Sequence, residues 1–221
     1  MCGILAIFCH SMPKQTSKII SVSKYLQCRG KHGLNIIKSS GIYICYENDK
    51  ITMKTKHLIQ LDNLTLFFDG NIYNKDELIK KFGLQCTTSN EYEVIIRLYQ
   101  KIGFVEAVKR IDGEFALLIK DKDMLYIARD NIGTKPLYFG TTEQNNLAIC
   151  SIPQPLTQFC SDISQFQPGL YAKIDLEKSQ EFSVLYDDRL QLQEHKTSNN
   201  ATEQLCTLLT NAIRKRVQKN N

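Results

Sequence analysis

Tryptophan is absent from this chain, and proline is sparse, with 5 in 221 residues. The 11 glycines never gather into a phosphate-cradling loop, so no nucleotide site is expected from them. None of the 8 cysteines sits in a C-x-x-C pair, so a zinc site is not expected and no metal is assigned. The start has no basic segment followed by a long apolar stretch, which argues against a secretory signal. No run of about 18 apolar residues occurs, so no membrane span or membrane partner is expected. Together these absences place the chain in a reducing, cytoplasmic compartment with free thiols. The net charge of +5 is mild and scattered. Its one cluster, Arg214, Lys215 and Arg216, reads as a solvated helix end suited to the helix dipole, not as a nucleic-acid contact.

The apolar fraction of 43% suits a globular domain with a sizeable core. "GILAIF" at 3–8 reads as a strand buried on both faces. Residues 13–30 have helical spacing and stop at Gly30. Residues 41–47 and 64–70 read as strands, the second closed by an Asp-Gly turn. Residues 75–83 form a short helix ending at Gly83. Residues 90–103 form a stronger one, capped by Asn90 with Glu91 and Glu93 in its first turn. "EFALLIKD", "DMLYIARD" and "KPLYFG" make a meander, and "LAICS" and "GLYAKIDL" add two strands. A polar linker follows from about residue 182, then a helix capped by Asn200 with an apolar stripe from Leu205 to Val217. Runs of strands with segregated helices give an α+β domain.

The segment "MCGILAIF" puts a thiol directly behind the initiator methionine. If Met1 is removed, Cys2 carries a nucleophile and a base on one residue. The α-amine, with an ordinary pKa of about 7.7–8.0, is partly neutral at physiological pH and can take the thiol proton. Such a residue can attack an amide carbonyl and form a thioester. The bland reading is a small buried residue at a strand start.

Three further stretches, "DGNIYNKDEL" (69–78), "IDGEFALLIKD" (111–121) and "ARDNIGTKPLYFG" (128–140), follow in fixed order. With Arg29-Gly30, "EVIIRLYQ" and "FQPGLY", they closely resemble the class II glutamine amidotransferase domain of glutamine-hydrolysing asparagine synthetases. The resemblance implies an N-terminal-nucleophile hydrolase fold, a four-layer αββα sandwich of two antiparallel sheets. It implies that Cys2 is the catalytic residue and attacks the side-chain amide of glutamine, giving glutamate and ammonia for asparagine synthesis. Arg129 and Asp130, by contrast, read as structural. It assigns residues 2–185 to the amidotransferase domain. Residues 186–221 become a linker and the amphipathic first helix of a synthetase domain.

The chain departs from that pattern at several positions. Asp69 stands where an oxyanion-hole asparagine is expected, and an ionised Asp69 cannot donate a hydrogen bond. Gly70 keeps its backbone donor. Asn71 replaces a glutamate that holds the substrate's α-amino group, and Glu91 replaces an aspartate with the same task. Asn48 aligns with a carboxylate-binding arginine, for which Lys50 is a partial substitute. His32 reads as an ordinary loop residue. The sequence ends at Asn221, before any pyrophosphate-binding loop, so no cofactor is expected here. ATP and magnesium belong to a partner synthetase domain, and a separate synthetase chain docking on the terminal helix is the partner implied. Two other readings stay open: a catalytically impaired binding or regulatory module, and the remnant of a truncated asparagine synthetase.

Overall fold

The structure is a computed structural model and describes residues 3–8, 16–29, 34–39, 42–47, 58–88, 90–178, 182–187 and 200–217. Its organising element is the strand Gly3–Phe8 (β1), in which all six residues are buried. Ile4, Ala6 and Phe8 join one apolar cluster, and Leu5 and Ile7 join another. Successive side chains of a strand point to opposite faces, so this strand must be covered on both.

The outer cover is the helix Thr16–Ser23 (α1) and the 3-10 helix Lys24–Cys28 that continues it. Ile19, Val22 and Leu26 pack there against Leu5 and Ile7. The sequence pattern alone indicates one helix as far as Gly30. The described chain instead tightens after Ser23, whose hydroxyl donates back to the Ile20 carbonyl at 2.7 Å. Such back-bonding competes with the regular ladder.

Beside β1 lie the strands Leu34–Ser39 (β2), Ile42–Glu47 (β3), Tyr138–Thr142 (β8), Leu147–Cys150 (β9) and Cys160–Gln165 (β10). They form a six-stranded sheet in the order β10-β8-β9-β1-β3-β2. The second sheet contains Leu58–Leu61 (β4), Leu64–Ile72 (β5), Gly113–Asp121 (β6), Met124–Arg129 (β7), Leu170–Asp175 (β11) and Ser183–Asp187 (β12). Its order is β12-β11-β7-β6-β5-β4. The strand pairings among the described residues are antiparallel.

Between the sheets, Ile4, Ala6 and Phe8 meet Phe67, Ala116, Leu118 and Ile127. On the far face of the second sheet, Leu66, Phe68, Phe115 and Leu117 meet the helices Lys75–Phe82 (α2), Glu91–Ile102 (α3) and Phe104–Lys109 (α4). The order is therefore helix, sheet, sheet, helix. Gly83 ends α2 at φ +54 and donates back to the Ile79 and Lys80 carbonyls. That left-handed cap is what glycine supplies.

Several short elements carry too little periodicity to be read from sequence: β2, β4, β10, β12 and α4. The expected Asp69-Gly70 turn is corrected, because both residues lie inside β5, paired with Ala116 and Phe115. Gly70 is there for closeness of approach. A Cβ on it would lie 2.1 Å from the Glu114 carbonyl oxygen. The last helix, Ala201–Val217 (α5), has no buried residue, and Leu205, Leu208, Leu209, Ile213 and Val217 are each more than half exposed. Two cations of its last turn are engaged rather than simply solvated. Lys215 pairs with Asp112, and the Arg216 guanidinium lies 4.6 Å from the centre of the Tyr73 ring.

Two buried charges fix the loops around this frame. Arg129 is 1% exposed and donates to the carbonyls of Lys135, Gly133 and Phe166. Its neighbour Asp130 accepts from the backbone N–H groups of Phe115, Ile132, Gly133 and Thr134. Arg129→Met leaves three carbonyls without their donor and should cost about 3–5 kcal/mol of stability in urea denaturation.

Glu93, in the first turn of α3, accepts from the N–H and hydroxyl of both Thr87 and Thr88 at 2.7–3.3 Å. Burial pushes this carboxyl up, but the four donors outweigh it and hold it at about 2. A carboxyl lowered from 4.5 to about 2 on folding stabilises the protein above pH 4.5, and that contribution is lost as pH falls toward 2. Glu93→Gln should flatten the acid limb of the stability curve in that window, as read by denaturation at a series of pH values.

Candidate active site

The start of β1 packs tightly on the end of the 3-10 helix. A Cβ at Gly3 would lie 3.1 Å from Leu26 Cδ2 and 3.3 Å from Arg29 Cβ. From there the Arg29 side chain reaches β5, and its Nη2 donates to Asp69 Oδ2 at 2.9 Å. Both side chains are nearly sealed, 10% and 4% exposed. One contact thus joins the beginning of the first sheet to the Asp69-Gly70 step of the second.

Asp69 and Asn71 share the β5 face that carries Phe67 into the layer between the sheets. Asn71 is the direct cross-strand partner of Glu114, and its Nδ2 donates to Glu114 Oε1 at 2.8 Å. The Lys135 ammonium lies 3.6 Å from the same oxygen. The Tyr73 phenol lies within reach of the Glu114 charge. Burial first, and the Glu114 charge second, push that phenol above its ordinary pKa. Asn71 therefore stands between two ion pairs, Arg29–Asp69 and Lys135–Glu114.

Glu91 opens α3 and is half-buried. Asn90 caps that helix, accepting from the Tyr92 N–H at 3.1 Å. The Tyr92 ring meets Phe68 edge-on at 5.5 Å, which brings the helix start beside the strand residue preceding Asp69. The loop before it is the one tied to Glu93. Cys2, Gly30, His32, Asn48 and Lys50 lie outside the described residues.

The arrangement has a definite electrostatic meaning. A carboxylate buried at position 69 would by itself be costly to hold away from water. The guanidinium against it offsets that charge beside the Gly70 step. Arg29 as the partner of Asp69, and Glu114 and Lys135 as neighbours of Asn71, were not legible in sequence. Nothing local links positions 29 and 69. The signal for Glu114 was an acid opening an otherwise apolar strand.

Other thiols contrast with this polar setting. Burial pushes Cys160 up to about 11, and burial together with the Glu93 charge raises Cys86. Both are protonated at neutral pH and poor nucleophiles. Among the described residues no helix is long and apolar enough to cross a membrane.

A family model for the glutamine amidotransferase domain matches residues 1–188. The asparagine synthetase [glutamine-hydrolyzing] of Gallus gallus is 32% identical over 124 residues, covering 52% of this chain and 22% of that protein. The protein of the same name from Mus musculus is 33% identical over 122 residues, covering 51% and 22%. The chain thus spans less than a quarter of the length of these curated relatives. Among solved structures, the glutamine phosphoribosylpyrophosphate amidotransferase of B. subtilis superimposes with a TM-score of 0.66 at 19% identity, over 83% of this chain and 49% of that one. An allosteric regulatory enzyme of purine biosynthesis gives 0.67 at 18% identity, over 85% and 50%. These likenesses show the fold, which is that of the N-terminal-nucleophile hydrolases. With its two antiparallel sheets between helical layers and a family match over most of its length, the chain belongs to the glutamine amidotransferase domain family.

Proposed function

We propose that the chain hydrolyses glutamine as the glutaminase part of an asparagine synthetase-like system. The carrying observation is the meeting of Gly3, Arg29 and the Asp69-Gly70 step, which supports a reaction at the residue preceding Gly3. With Met1 removed, the Cys2 thiol gives its proton to its own α-amine and attacks the glutamine side-chain carbonyl carbon. The oxyanion forms beside the Gly70 N–H and the Arg29 guanidinium. The C–N bond breaks, the amine proton leaves with the nitrogen as ammonia, and a thioester remains. Water then cleaves the thioester to glutamate and restores the thiol.

Residues 2–185 form the glutaminase unit in this reading, and residues 186–221 the linker and first helix of a synthetase domain. The ammonia goes to asparagine synthesis on a synthetase that holds ATP and magnesium, and the exposed stripe of α5 supports docking of such a domain on a separate chain. The compartment is cytoplasmic, in keeping with exposed free thiols at Cys28 and Cys206.

The decisive experiment is mass spectrometry of the protein before and after 6-diazo-5-oxonorleucine, with Cys2→Ala alongside. Loss of Met1 and one adduct mapped to Cys2, absent from the variant, is expected. A retained Met1, or a Cys2 that never labels, would point instead to a binding module that has lost the chemistry.

The charge pair has its own test in steady-state ammonia release. Arg29→Met strands a buried Asp69 carboxylate beside the oxyanion, so kcat should fall about 10²–10³-fold. Adding Asp69→Asn to that variant removes the stranded charge and should recover much of the loss.

A further inference from the structure

Resting on that glutaminase reading, we propose that Glu114 is the specificity-determining carboxylate that receives the substrate's α-ammonium group. An amino-acid substrate brings a cation that must meet an anion when it leaves water. The acids around the Gly70 step differ sharply in their freedom to serve. Asp69 is 4% exposed at its side chain and held by Arg29. Asp130 and Glu93 are buried and filled by backbone and hydroxyl donors. Glu114 keeps 26% of its side chain exposed.

Its position is fixed from several sides. Its backbone carbonyl abuts Gly70 so closely that no Cβ fits between them. The next residue, Phe115, is clamped through its N–H by Asp130 at 2.9 Å. The side chain faces Asn71 across the strand pair and accepts its amide at 2.8 Å. A carboxylate has about four acceptor positions. Asn71 occupies one, and Lys135 at 3.6 Å is an ionic neighbour beyond hydrogen-bond length. Among the described residues, acceptor capacity thus remains on a rigidly placed, solvent-reaching anion one strand away from the reacting step. Asn71, being neutral, orients this carboxylate instead of replacing it.

The test compares L-glutamine with glutaric acid monoamide, which is glutamine without its α-amine, in kcat/KM for ammonia release and in calorimetric binding. Glu114→Gln should lower the preference for glutamine over the monoamide by roughly 10–100-fold, the size of one charge-assisted hydrogen bond. Glu114→Asp should largely keep the preference. Asn71→Glu added to Glu114→Gln should restore it, because the new carboxylate arises across the same strand pair. An unchanged preference in Glu114→Gln overturns the assignment, as does an equal loss for both substrates. A preference lost only in Glu91→Gln overturns it too and gives the role to α3. If the unsubstituted chain neither binds nor hydrolyses glutamine, the glutaminase reading fails and this assignment with it. Failure of Glu114 alone is seen only against an active parent.

Discussion

The buried pair Arg129–Asp130 is the constraint on which the rest of the site end depends. It stands where the chain leaves the last residue of β7 in one sheet and crosses toward β8 in the other. Turning there exposes several carbonyls and N–H groups to an apolar interior, where each would cost free energy if left unpaired. The guanidinium bonds three of the carbonyls, and the carboxylate takes four backbone N–H groups. The consequences reach the site directly. Asp130 holds Phe115, whose neighbour is Glu114, and Arg129 holds the carbonyl of Lys135. The Lys135–Glu114 pair is therefore set by a clamp built of buried side-chain to backbone hydrogen bonds.

The second ion pair, Arg29–Asp69, works on a different principle. It ties secondary structure 40 residues apart and joins the two sheets at the end where β1 begins. Two charges withdrawn from water keep their stability only while each has the other. A carboxylate in this place is costly alone and a useful anchor for a guanidinium once paired. Neutralising the pair as a unit leaves the Gly70 step without a repelling net charge. The polar end of the inter-sheet layer is thus two ion pairs around one amide, Asn71, above a core of Phe67, Ala116 and Leu118.

The sequence by itself determined the layers. The unbroken apolar run of β1 demanded cover on both faces, the stripe of α3 demanded a sheet to pack on, and Gly83 and Asn90 marked helix ends that the backbone adopts. These are local patterns with periods of two or 3.6 residues, and they read without knowledge of distant partners. The short strands β10 and β12 did not read. Each has exposed positions and gains its order from one neighbouring strand. The Asp69-Gly70 step misled, because a local turn signal there serves a different need: a backbone 2.1 Å from where a side chain would begin. Asp69, Gly70, Asn71 and Glu91 were singled out as site residues only through the family resemblance, not by any local pattern. Only the tertiary structure decided that Asp69 is held by Arg29, and that a carboxylate stands beside Asn71 on the next strand. Pairings between residues 40 apart depend on how two sheets close on each other, and no short stretch of sequence carries that information.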